Sequence, residues 1–122
     1  MSTDTGYRLS SLTLRGSHYD IGQGLGRHGA ALVHDHLVKT YAWATVMAFK
    51  HDDRVRMARA LVEQRYSHYW QELSGLADGV GLPLDDVFAW NCRGDLWAMA
   101  PDGCTTVQMP GPFPVVAHNE DG

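Results

Sequence analysis

Residues able to do chemistry gather near one end of this chain. Asp102-Gly103-Cys104-Thr105-Thr106 is followed, after a loop rich in proline and glycine, by His118-Asn119-Glu120-Asp121-Gly122. The pattern puts a cysteine behind a glycine at the start of a short β-like run. A self-cleaving precursor keeps its nucleophile at such a place. Cutting the Gly103–Cys104 bond would give Cys104 a free α-amine, so that one residue carries both a thiol and a base. A free thiol titrates near about 8.5 and an α-amine near about 7.7–8.0, so the amine can take the thiol proton close to neutral pH. Gly103, having no side chain, lets the sulfur approach its carbonyl and tolerates a strained backbone.

Two strands must position these groups. Residues 104–109 and 115–119 read as strands about the loop 110–114. Pairing them about a midpoint between Pro112 and Phe113 sets Cys104 opposite Asp121, with Cα atoms about 4.5–5.5 Å apart. A bulge or a different turn moves the partner to Asn119 or Glu120. A carboxylate there would hold the new amine and steady its charged form. Thr105 and Thr106 are strand formers, and a hydroxyl beside the scissile bond could assist cleavage.

The elements upstream read as mostly helical. Residues 1–6 form a polar tail. Residues 7–15, with Leu9, Leu12 and Leu14, read as a strand that Gly16 ends. Ser17 with Asp20 three residues later reads as a helix N-cap. Ile21, Leu25, Leu32, Val33, Leu37, Tyr41, Ala44 and Ala48 then recur at helical spacing, predicting one helix over 18–49. Gly22, Gly24, Gly26 and Gly29 fall in its first half. Each costs a helix roughly 1 kcal/mol against alanine, which suggests irregularity or close packing on a neighbour. From Asp52-Asp53, apolar residues from Val55 to Val80 step by three or four and predict a second long helix. Its stop is at Gly79 and Gly81, ahead of Pro83. That stripe includes Tyr66 and Tyr69, read as core. A third helix is expected from Asp85 as N-cap to about Met99, burying Val87, Phe88, Asn91 and Leu96. Strand, three helices and a hairpin make an α+β chain.

Composition narrows the function classes. The 122 residues are 44% hydrophobic and 20% charged, with net charge −4. That length suits one domain with a real core, and the acidic balance points to neither nucleic acid nor an anionic membrane as partner. The first six residues resemble no signal peptide, and the most apolar stretch, 41–49, is far short of a membrane span. Cys92 and Cys104 form no CxxC pair. A reduced, cytoplasmic setting is expected, with Cys92 in the core. Gly24-x-Gly26-x-x-Gly29 spells a dinucleotide fingerprint but falls inside a helical pattern, so no nucleotide is inferred from it. His34 and His36 lie two apart and cannot share a helix face. With His28 and Asp35 they read as a solvated face rather than a metal site. No cofactor is expected. Arg93, with Asp95 nearby, reads either as a guide for an acyl or carboxylate substrate or as half of an ion pair.

Taken in order, the segments resemble one family. Gly16-Ser17-His18-Tyr19-Asp20-Ile21-Gly22 with Gly26-Arg27 is similar to its opening glycine-rich helix. The run from Glu72 to Gly81 leading into Asp85–Arg93 is similar to its helix pair. Asp102-Gly103-Cys104-Thr105-Thr106 and Asn119-Glu120-Asp121 complete the series. The chain resembles the isopenicillin-N acyltransferase-like family of N-terminal-nucleophile hydrolases. The resemblance implies part of an αββα sandwich, autocatalytic cleavage before Cys104, and chemistry on a small-molecule acyl amide or acyl thioester. Cys104 matches the family nucleophile and Asp121 its acid. Residues 1–103 would be the N-terminal segment, and residues 104–122 the start of the catalytic one. The family's oxyanion-stabilising asparagine lies farther downstream, in the remainder of the catalytic domain. Loss of one such donor costs about 10²–10³ in rate, so the 122 residues alone are expected to be inactive. The rival reading is a non-catalytic helical binding or scaffolding module in which Cys104 is a structural thiol.

Overall fold

The computed structural model describes residues 10–97 and 103–121. Six α-helices precede a hairpin among these residues, so the chain is α+β and mostly helical. The helices are α1 (His18–Asp35), α2 (Tyr41–Met47), α3 (Asp53–Arg65), α4 (Ser67–Val80), α5 (Leu84–Asn91) and α6 (Arg93–Trp97). A 3₁₀ turn, Leu37–Lys39, joins α1 to α2, and the hairpin strands are β1 (Gly103–Met109) and β2 (Val115–Asp121). No helix among the described residues is long and apolar enough to cross a membrane.

Local chemistry explains the helix starts and stops. Ser17 caps α1 by accepting from the Asp20 amide, and Asp20 returns a bond to the Ser17 amide at 3.0 Å. The two bonds make a reciprocal capping box. They also hold the Asp20 carboxyl below the usual carboxylate range, first through the Ser17 backbone and then through its hydroxyl. Asp52 caps α3 through the Arg54 amide. Gly81 ends α4 at φ 75°, in the left-handed region where glycine carries no Cβ penalty.

Each of the three long elements expected from periodicity is broken. The helix expected over 18–49 stops at Asp35, and Thr40 starts a new one by accepting from the Trp43 amide at 3.1 Å. The second is cut at Tyr66, whose φ −127° and ψ 52° leave the helical region. Apolar spacing passes through both breaks because it reports which face is apolar, not whether the backbone is continuous. The third divides at Cys92, and its N-cap is Pro83 rather than Asp85, which lies in the first turn. Its expected end near Met99 lies outside the described residues. Residues 10–15 carry no ladder pairing, so the strand expected over 7–15 is not formed there. Its first part lies outside the described residues.

Glycine organises the packing. α1 and α4 lie side by side and run the same way, with Gly22 and Gly26 facing Gly75 and Gly79. A Cβ on Gly22 would sit 2.0 Å from the Glu72 carbonyl oxygen, and one on Gly26 2.4 Å from that of Leu76. The relation is mutual, since a Cβ on Gly75 would meet the Tyr19 oxygen at 2.1 Å and one on Gly79 the Gln23 oxygen at 2.2 Å. The close packing suggested by the glycine-rich pattern is therefore present. Backbones this near allow Cα–H···O contacts, each contributing about 0.5–1 kcal/mol. Tyr19 donates to Asp78 across the same seam at 2.5 Å. That bond is the main cause of the raised Tyr19 pKa. Where the two helices end, His34 Nε2 lies 2.6 Å from the Val80 carbonyl.

Below the seam, Ala77, Val80 and Val87 form a core cluster with Ala30, Val33, Leu73, Leu76, Leu82 and Leu84 packed on it. Trp43, Val46, Val55, Phe88 and Ala89 are also buried. The glycine file takes the inner face of α1, so Leu25 and Leu32 are turned outward at 47% and 69% exposure. Tyr66 and Tyr69, expected in the core, are exposed because the break at Tyr66 takes them off the inner face. Asn91 is likewise exposed and bonds back to the Val87 carbonyl at 2.9 Å. Cys92 is part-buried and free, and burial raises its thiol pKa.

Candidate functional site

The hairpin forms where the sequence places β-branched residues on either side of a proline-rich turn. Thr105, Thr106 and Val107 favour one strand, and Val115 and Val116 the other. Pro110, Pro112 and Pro114 have no amide hydrogen for a ladder, so pairing stops at Met109 and resumes at Val115.

The register differs by one from the expected one. Cys104 pairs with Glu120, and Asp121 pairs with Gly103. The connection spans residues 110–114 and centres on Pro112, not between Pro112 and Phe113. That half-residue displacement moves every cross-strand partner by one. Glu120 was the alternative that a different turn allowed. The first two ladder positions thus bring Gly103 and Cys104 opposite two acidic residues of β2 at the backbone level. The side chains of Cys104, Glu120 and Asp121 lie outside what the structure describes.

Beyond this end, the register sets Thr105 against Asn119, and both are exposed. Thr106 Oγ1 and His118 Nδ1 come within 2.8 Å across the ladder. Strand alternation gives one face Val107, Met109, Val115 and Ala117. Val107, Met109 and Val115 on that face are 50–63% exposed, and among the described residues no helix lies against the hairpin in more than marginal contact.

Arg93 is not brought into an ion pair with Asp95. Its guanidinium donates to the Trp90 carbonyl at 3.0 Å and lies 5.0 Å from the centre of the Trp90 ring. A planar cation is more stable on an indole face than over a solvated turn. The Thr106–His118 contact was not foreseen from the sequence. A loop centre at Pro112 is the signal that would have found it. His18 also stacks on His68 at 4.7 Å, with its Nδ1 4.0 Å from Glu72 Oε2. Residues 68 and 72 are one helical turn apart, a spacing legible in the chain. Among the described residues no group of three histidine, cysteine or acidic side chains is arranged to hold a metal ion. His28, His34, Asp35 and His36 are all exposed, with the His34 ring held at the Val80 carbonyl. Compared with protein-family models, curated proteins and solved structures, the chain matches none.

Proposed function

We propose that this chain is the N-terminal portion of an autoprocessed cysteine hydrolase or acyltransferase acting on acyl amides or thioesters. The observation that carries the reading is the placement of Gly103 and Cys104 as the first two residues of β1, opposite Asp121 and Glu120. In the cleavage step the Cys104 sulfur attacks the Gly103 carbonyl and the peptide bond shifts to a thioester. The former amide nitrogen becomes the α-amine, and water then releases residues 1–103. In turnover that amine takes the thiol proton and the thiolate attacks the substrate acyl carbonyl. The leaving group departs with the proton, and water or an acceptor amine resolves the thioester. In this proposal Asp121, the acid that the family resemblance implies, steadies the ammonium form of the amine. Thr105 and Asn119, paired one ladder position on from Cys104, are the groups proposed to support cleavage. Arg93, held on Trp90, stays a candidate guide for an acyl or carboxylate substrate.

The test is mass spectrometry of the full-length protein, catalytic remainder included, on standing at neutral pH. A cut between Gly103 and Cys104 that disappears in Cys104→Ala supports the mechanism. An intact wild-type protein that nonetheless turns over acyl substrates would sink it. The weak contact between hairpin and helices favours a second reading, in which the helical part is a binding module. Thiol labelling separates the two. An unreactive Cys104, with binding unchanged in Cys104→Ser, selects the module.

A further inference from the structure

A second group of charged residues lies at the junction of α3 and α5, away from the hairpin. Lys50 and His51 come from the turn before α3, Arg56 and Arg59 from α3, and Asp85 from the first turn of α5. With Val55 and Phe88 they line a pocket of about 120 Å³. Its floor is apolar, since Val55 and Phe88 are 5% and 4% exposed. The cations outnumber the acids. Lys50, Arg56 and Arg59 share the lining with one carboxylate, Asp85, in a chain whose net charge is −4.

Some of these charges are already held. Lys50 Nζ donates to Asp86 at 3.0 Å, and Arg59 is bonded to Asp85 while lying 5.2 Å from the centre of the Trp70 ring. These contacts leave donors to spare, because an ammonium has three N–H groups and a guanidinium five. The side chains of Arg56 and His51 make no hydrogen bond or ion pair among the described residues. The adjacent Asp52 does not compete, since its carboxylate is engaged by the backbone and guanidinium of Arg54. Two acids thus preorient Lys50 and Arg59, and Arg56 is left to complete the site. Forked guanidinium donors beside an apolar floor suit an oxyanion with several acceptors better than a simple halide.

We propose that this pocket binds a compact dianionic oxyanion of the phosphate class through Arg56, Lys50 and Arg59, with His51 at the rim. The site uses neither the hairpin nor Cys104, so it stands or falls separately from the acyl chemistry. Inorganic phosphate titrated into the 122-residue protein at fixed ionic strength should shift the amide resonances of Val55 and Arg56 saturably. An equal ionic strength of chloride should not. Arg56→Gln should weaken binding about tenfold, as expected for loss of one charge-assisted contact, and Arg56→Glu should abolish it. Arg56 is exposed and makes no ion pair among the described residues, so neither change should disturb folding, which circular dichroism checks. Methyl phosphate separates the sources. Equal or tighter binding than phosphate assigns the pocket to the phosphoryl group of a larger molecule, and weaker binding to free phosphate. Non-saturating shifts, shifts matched by chloride, or an unchanged affinity in Arg56→Glu would overturn the proposal.

Discussion

The α1/α4 seam and the β1/β2 hairpin are opposite solutions to placing backbone near backbone. In the seam, four glycines remove the side chains between two helices, and carbonyls close to within reach of the facing Cα atoms. In the hairpin, backbones meet through the ladder, and the side chains of residues 105–119 remain exposed. The seam therefore has no room to change. Among the described residues the hairpin has no helix in more than marginal contact with it, and a two-stranded sheet alone is marginal in water. The difference teaches where this chain keeps its rigidity and where it leaves backbone and side chains open. Among the described residues the rigid packing lies between α1 and α4, and β1 is held chiefly by turn and ladder.

Substitutions in the seam should give the largest effects. Gly75→Ala puts a methyl against the Tyr19 carbonyl and should cost about 3 kcal/mol by denaturant unfolding, toward the upper end for overpacking. A loss below about 1 kcal/mol would mean that the helices slide apart easily, and the contrast would weaken. Val46→Ala, at a fully buried side chain, should cost about 2 kcal/mol by the same measurement.

The capping box gives a smaller effect with a pH signature. Ser17→Ala should cost about 1 kcal/mol at neutral pH. The Asp20 carboxyl is depressed in the folded chain, so its contribution is present above the unfolded value near about 3.9 and is lost as pH falls through the lower folded value. Thermal melts of wild type should thus fall more steeply below about pH 4 than those of Ser17→Ala. Equal slopes would remove Asp20 from the account. The smallest effect is expected in the hairpin. Val115→Thr should leave helical unfolding within about 0.5 kcal/mol of wild type, and hairpin amides should exchange faster than those of α4. Slow exchange there would show that the hairpin is packed in solution, and the comparison would fail.

Much of this was readable beforehand because it is local. Ser17 with Asp20, Asp52 before α3, the Gly81 stop and the proline-bounded strands each depend on neighbours a few residues apart. The suggestion of close packing also came from the glycines, whose cost in a helix demands a return. Other features are set by distant parts of the chain. Nothing near Tyr66 announces a helix break, so the apolar stripe predicts Tyr66 and Tyr69 in the core, whereas both are surface residues. The register depended on where a five-residue loop centres, and half a residue there changed Cys104's partner from Asp121 to Glu120. Arg93 was read through Asp95, its neighbour in sequence. Its actual partner, Trp90, is one helical turn back.

The shared direction of α1 and α4 has a kinetic consequence. Two helices that run the same way cannot be joined by a short turn, and here α2 and α3 form the return path. The Tyr19–Asp78 bond spans 59 positions of chain and the His34–Val80 contact 46. Closing a loop of some fifty residues costs about 3.5 kcal/mol of chain entropy before any seam contact repays it. The tightest part of the molecule should therefore be among the last to form. Alanine at the seam glycines would then speed unfolding far more than it slows folding. Such a protein would owe its lifetime in the folded state, more than its speed in reaching it, to four missing side chains.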